Sequence, residues 1–251
     1  MTKEIKHRVH GIDLLRGFAI IVMAAYHGLF SLVNIFGVEL SWFYSDWLQN
    51  IGVPLIGGTF IFVSGLSTSF SRAVWKRGLQ IFAWAMVMTF VTAAVVPSLI
   101  IRFGVLHLIG CCMLLFALLR PVLDKLPRKV LFTIAIALFA VTYHLPDGYL
   151  GWKSLISLPV QTTNSYIFPL GMMAPGFYSS DYYPLIPWFF LFIAGSCLGP
   201  YVKSGKAPKW LYPSRLPWLE TIGRHTLWIY VLHQPVLIAL FYGIFWLLRL
   251  F

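Results

Sequence analysis

Charge is what this sequence has least of. Only 11% of its 251 residues are Asp, Glu, Lys or Arg, where a soluble globular domain carries about 25%. So few charges cannot cover a water-facing surface, which excludes an ordinary soluble enzyme, a disordered chain and a nucleic-acid-binding domain. Acidic residues are scarcest, 8 against 19 Lys and Arg. Cysteine is nearly absent: Cys111, Cys112 and Cys197 all sit in apolar runs. An odd count without C-x-x-C spacing gives neither a disulfide framework nor a zinc site, and leaves three small packing residues. There is no internal repeat, no low-complexity tract and no inverted pair of Gly/Pro-broken segments, which argues against a secondary transporter.

Apolar residues are what remains. They make up 59% of the chain, aromatics 17%, and the mean hydropathy is +0.79. A transmembrane helix needs about 20 apolar residues. Seven runs qualify, near 12–36, 51–70, 79–98, 103–120, 130–145, 184–202 and 218–250, joined by short loops except for an outer segment at 146–183. The fold class expected is an all-α polytopic membrane protein, one bundle over 1–251. The first run follows the basic start Lys3, Lys6, Arg8, as a signal peptide would. It is longer than a signal peptide, holds Asp13 and Arg16, and lacks a small-residue cleavage site, so it reads as a retained helix. The net charge of +11 falls in short clusters between apolar runs rather than in one basic face. With a cytoplasmic N-terminus, only Arg102, Lys153 and Arg249 of the 19 basic residues lie outside, leaving 16 inside. That bias sets the orientation. The last run, 33 residues, would be about 50 Å of helix. Either its first turns lie in the headgroup region, or it breaks at Pro235.

Ionisable residues inside spans are costly and mark function by default. At 100° per residue, Asp13, Arg16 and His27 share one stripe of the first helix, which Asn34 continues. The bland alternative is an interfacial Asp13–Arg16 pair and a packing histidine. His107 and His233 are expected at a depth similar to that of His27, on two other helices. His144 reads as interfacial, and His7, His10 and His225 as surface residues. In the last run Glu220 and Arg224 are i, i+4 neighbours near the cytoplasm, with Thr226, Tyr230 and His233 on one face further out. Pro235 withholds an N–H from the carbonyl of Val231. Gly57, Gly58 and Gly65 suit close helix packing, while Arg72 and Arg77 at the inner end of the same run could bind an anion. The outer segment carries Tyr149, Trp152, Tyr166, Phe168, Phe177 and Tyr178 with Asn164 and Asp181. Such aromatics make a membrane-interface belt, or a surface for a sugar ring.

Four stretches taken in order carry a family resemblance. They are Ile12-Asp-Leu-Leu-Arg-Gly-Phe-Ala-Ile through His27, Phe103-Gly-Val-Leu-His-Leu-Ile-Gly110, Asp181-Tyr-Tyr-Pro-Leu-Ile-Pro-Trp188 with Gly195 and Gly199, and Ile222-Gly-Arg-His-Thr-Leu-Trp-Ile-Tyr-Val-Leu-His-Gln-Pro235. The chain resembles the bacterial branch of the heparan-α-glucosaminide N-acetyltransferase catalytic-domain family, within the wider transmembrane acyltransferases that share Asp-x-x-Arg and a first-helix histidine. The resemblance implies a multi-pass acetyltransferase of the bacterial inner membrane, moving acetyl from cytoplasmic acetyl-CoA to a sugar amino or hydroxyl group on the far side. The lysosomal member uses a histidine after its first helix. Residues 28–53 here contain none, and His27 aligns with an active-site asparagine of that enzyme. His27 is therefore the expected base, with His107 in reserve.

On this expectation Arg16, Arg72, Arg77 and Arg224 hold the donor phosphates, with Asp13 and Tyr230 beside them. His27 takes the acceptor proton, His107 or His233 polarises the thioester, and Asp181 supports an outer histidine. No metal is expected. The partners are acetyl-CoA, the sugar, the bilayer and no nucleic acid, with a homo-oligomer left open. The competing classes are a non-enzymatic carrier and a membrane protein binding haem through its deep histidines.

Overall fold

The computed structural model describes residues 8–151, 156–158, 164 and 166–248. Lys3, Lys6, His7, Trp152, Lys153 and Arg249 lie outside the described residues. Eight helices occur among those described: α1 His10–Asn34, α2 Val53–Leu66, α3 Val74–Val95, α4 Val105–Leu123, α5 Arg128–Thr142, α6 Leu185–Lys203, α7 Pro217–Arg224 and α8 Thr226–Leu247. A π-helical turn, Leu48–Gly52, leads into α2, and a two-stranded hairpin pairs Tyr149–Leu150 with Ile156–Ser157. Seven segments are long and apolar enough to cross a membrane: His10–Asn34, Leu48–Phe70, Val74–Val95, Val105–Leu123, Arg128–Asp147, Leu185–Lys203 and Thr226–Leu247. The protein is an integral multi-pass membrane protein. Its exposed apolar side chains, such as Phe90 and Leu118, suit a hydrocarbon solvent.

The spans differ from the sequence reading mainly at their ends. The third begins at Val74 rather than 79, because Trp75, Lys76 and Arg77 form its first turn, where Lys76 lies over the Trp75 ring. The last run divides at His225 and not at Pro235. His225 leaves helical geometry (φ −101°, ψ 19°), so the first turns become the separate α7, and α8 continues through Pro235.

The chain forms two compact units, one over Ile61–Ala207 and one over Lys6–Phe60 with Pro208–Phe251. In the first, α3 packs on α4, α5 on α6, and the C-terminal part of α2 on α6. That last contact is backbone to backbone. A Cβ on Gly65 would stand 2.0 Å from the Phe192 carbonyl oxygen, and one on Gly195 would stand 2.1 Å from that of Phe62. Small residues replace the hydrophobic drive that a bilayer cannot supply between helices. Phe192, Leu108, Ile61 and Cys112 fill this unit's core.

In the second unit α1 is the centre, with α7 against its first half and α8 against its second. A Cβ on Gly223 would fall 1.8 Å from the Asp13 carbonyl oxygen, and one on Gly17 would fall 2.1 Å from that of Leu219. This close crossing brings the start of α1 and α7 together at the N-terminal end of α1. Ile20, Phe43 and Ser31 are fully enclosed.

Candidate active site

The second unit carries two polar clusters on α1. The first lies at its N-terminal end. Asp13 is buried, and its carboxylate takes bonds from the Arg8 guanidinium and from Arg16 Nη1, the latter at 3.5 Å. Glu220 of α7 is buried beside it and accepts from His10 Nδ1 (2.6 Å), from the Ser214 hydroxyl (2.8 Å) and from the Arg215 N–H (2.9 Å). Burial alone would raise the Glu220 carboxyl, but these bonds and one from the Leu216 N–H more than offset it and hold it at about 2. Glu220 thus ties the chain before α7 to the start of α1. The sequence reading set Glu220 beside Arg224; here Arg224 is exposed and donates to Thr221. His10, read as a surface residue, is Glu220's partner.

The second cluster lies about 16 Å further along α1, eleven residues past Arg16. His233 Nε2 and His27 Nδ1 are 2.9 Å apart, and His233 Nδ1 is 2.6 Å from the Tyr230 carbonyl oxygen. The tautomers follow from these partners. A carbonyl can only accept, so His233 carries its proton on Nδ1, and its Nε2 is then an acceptor in the neutral ring. His27 must therefore donate from Nδ1, where the Met23 sulfur also stands at 2.8 Å. That leaves Nε2 of His27 as the ring's lone-pair nitrogen. Beside the pair, Ala24, Ala25 and Gly28 with Leu29, Leu32, Val236, Leu237 and Phe241 line an apolar groove of about 500 Å³ that reaches His233. Tyr230, expected near the donor, is buried with its ring 5.6 Å from that of His233. One turn beyond His27, the Ser31 hydroxyl donates to the His27 carbonyl (3.0 Å) and accepts from Gln234 Nε2 (2.7 Å). Sequence reasoning passed over both residues, although a glutamine next to a histidine inside an apolar run was the available signal.

His107 belongs to the other unit and has different surroundings. Its Nδ1 accepts from the Gly104 N–H (3.2 Å), and its Nε2 faces Thr89 Oγ1 (3.0 Å), which itself donates to the Ile101 carbonyl (2.6 Å). Nε2 must then be the donor, so both ring nitrogens are engaged in holding the start of α4. Asp181 accepts from the Val105 N–H (3.1 Å) at the same helix end, close enough that a Cβ on Gly104 would stand 2.2 Å from its Oδ2. Arg72 and Arg77, also of this unit, are exposed.

The aromatics of the segment before α6 largely cover one another. Phe168 stacks on Phe177 at 4.9 Å, Phe177 meets Tyr182 edge-on, and the Tyr182 hydroxyl donates to the Phe168 carbonyl (2.6 Å). Burial pushes that hydroxyl's pKa up. Tyr166, 86% exposed, and Tyr178, 48%, remain as open rings. His144 bonds Asp147 (2.9 Å) and stacks on Tyr149. Among the described residues no group of three His, Cys, Asp or Glu side chains could hold a metal ion.

Comparison with known proteins adds a family. Residues 8–235 match the family model described as heparan-alpha-glucosaminide N-acetyltransferase, catalytic. That range includes both clusters and ends one residue beyond Gln234. No curated protein and no solved structure gave a match.

Proposed function

The chain belongs to the heparan-α-glucosaminide N-acetyltransferase catalytic family, and from that premise we propose that it moves acetyl from acetyl-CoA on its N-terminal side to a sugar hydroxyl or amine on the other side of a bacterial inner membrane. The observation that carries this reading is the Tyr230–His233–His27 chain of hydrogen bonds, which leaves His27 Nε2 with its lone pair. Acyl transfer needs a base of that kind. A neutral imidazole has an ordinary pKa of about 6.5, suited to taking a proton from an attacking hydroxyl or amine.

The acceptor oxygen or nitrogen bonds to the thioester carbonyl carbon while its proton passes to His27 Nε2. Positive charge develops on His27, and its Nδ1–H bond to His233 becomes charge-assisted. The carbon–sulfur bond then breaks, and the CoA sulfur takes the proton back from Nε2. His233 is the positioning residue, fixing the tautomer and ring plane of His27 much as a carboxylate does in a hydrolase triad. His107 is left a structural role by its two engaged nitrogens.

The donor is polyanionic and stays on its own side of the bilayer. Arg16 and Arg224, both of the second unit, are the residues proposed to meet its phosphates, with Asp13 orienting Arg16. The 16 Å or so between Arg16 and His27 along one helix face gives room for a pantetheine arm. The carrier alternative offers no use for a tautomer-locked histidine pair. A haem ligated by both rings would need its iron between them, and the direct 2.9 Å contact favours a proton relay instead.

Donor binding tests the reading. A ligand that binds only the folded state at 100 times its Kd stabilises by about 2.7 kcal/mol. CoA is expected to raise the melting temperature of the purified protein, and Arg16→Ala or Arg224→Ala to reduce that rise. No shift with millimolar CoA would contradict the proposal.

A further inference from the structure

Among the described residues, one buried side-chain nitrogen or oxygen has no hydrogen-bond partner, and it is Gln234 Oε1. The orientation of this amide is fixed by its neighbours. The Ser31 hydroxyl gives its single proton to the His27 carbonyl, so it can only accept from Gln234, and Nε2 must face it. Turning the amide over would leave Nε2 unpaired instead. A buried acceptor without a partner is costly, and native proteins seldom keep one without a use for it.

Its location narrows that use. Gln234 follows His233 in α8, and both side chains reach α1, His233 to His27 and Gln234 to Ser31. Ser31 stands one turn past His27, about 6 Å further from the N-terminal end of α1. On the sidedness proposed above, a donor arrives from the Arg16 end, and Gln234 Oε1 lies past the histidine pair, on the side from which the acceptor comes. We propose that Gln234 binds the acceptor, its Oε1 accepting a hydrogen bond from a hydroxyl or amine N–H of the sugar that His27 deprotonates or of its neighbour on the ring. The chemical class recognised is thus a hydrogen-bond donor, a polyol or amino sugar, and an acceptor bearing only ether or ester oxygens is disfavoured. Two adjacent residues of α8 divide the work: one aims the base, the other the nucleophile. This rests on the acetyltransferase reading.

The test uses the full-length protein in detergent or proteoliposomes, with glucosamine and methyl glucoside as amine and hydroxyl probes. Gln234→Leu is expected to raise the acceptor KM about tenfold, with CoA affinity within about twofold of wild type. Ser31→Ala keeps Oε1 but removes the group that aims it, and is expected to raise the same KM roughly two- to threefold. A residue that only supports the fold would move CoA affinity and kcat together and leave this KM alone. An unchanged acceptor KM in Gln234→Leu overturns the proposal, as does a parallel loss of CoA affinity, which would set Oε1 against the donor's amides. If Gln234→Leu binds no CoA at all, an unchanged KM in Ser31→Ala decides against it. Wild-type protein that binds CoA yet acetylates neither probe overturns the acceptor assignment alone, whereas wild-type protein that binds no CoA overturns the acetyltransferase reading with it.

Discussion

Removing His233 is the perturbation that separates a proton relay from two histidines that merely touch. In His233→Ala the Nδ1 proton of His27 loses its acceptor, and the ring is free to carry its proton on Nε2, where the lone pair is needed. The bond at stake is 2.9 Å in the resting protein and becomes charge-assisted as His27 takes the acceptor proton. Hydrogen bonds to charged groups contribute about 1.5–3 kcal/mol, which corresponds to a fall in turnover of about 10- to 150-fold. Losing His27 itself removes the base and costs about 10²–10⁴. His233→Gln keeps an acceptor oxygen for His27 and a donor for the Tyr230 carbonyl, and is expected to recover part of the loss. Release of the CoA thiol during sugar acetylation gives the rate. The double variant carries the decisive arithmetic: residues acting as one unit are not additive, so His27→Ala with His233→Ala falls no further than His27→Ala. Full turnover in His233→Ala refutes the relay, and independent multiplication of the two losses does so as well. If His27→Ala keeps its turnover while His107→Ala loses it, the base is His107.

Three further outcomes are expected. A reporter active only in the cytoplasm, fused after residue 251, should stay dark, because seven spans from a cytoplasmic N-terminus end outside; a bright fusion would mean the wrong number of crossings. Glu220 is held below its usual value, to about 2, so its contribution to stability is complete above the unfolded value near 4.5 and is lost as pH falls through 2; Glu220→Gln should melt at a lower temperature and show a weaker pH dependence across that window, and a wild-type-like acid profile would count against it. Gly223→Ala would place a methyl 1.8 Å from the Asp13 carbonyl, and overpacking of this kind costs about 1–3 kcal/mol, so a melting temperature equal to wild type would show that the α1–α7 crossing is looser than described.

Much of this architecture was legible without coordinates, and the reason is physical. A bilayer demands a long apolar run for each crossing, so the seven spans follow from local composition alone. What composition does not encode is rotation and lateral placement. The similar depth expected for His27 and His233 was a matter of counting residues along two helices. Their direct contact depends on how α8 turns its face to α1. His107 satisfied the same count yet bonds Gly104 and Thr89, because the start of α4 supplies partners that a span profile ignores. Glu220 was matched to Arg224 by helical spacing, whereas the crossing at Gly17 and Gly223 brings His10 to it first. The break at His225 was hidden because an apolar run shows only its total length. Its trace was the segment 217–224, whose buried Leu219, Glu220 and Gly223 share one face. Asp181, expected near an outer histidine, accepts from the Val105 N–H at the start of α4, a contact that needs the fold to be seen.

The measurement that bears most directly on the central claim is sided acetyl transfer in sealed proteoliposomes, with labelled acetyl-CoA supplied on one face and an amino sugar enclosed on the other. Labelled sugar is expected only when the donor is on the N-terminal face, and none from His27→Ala protein that still binds CoA. Equal labelling by His27→Ala, or transfer with the donor on the opposite face alone, would contradict it.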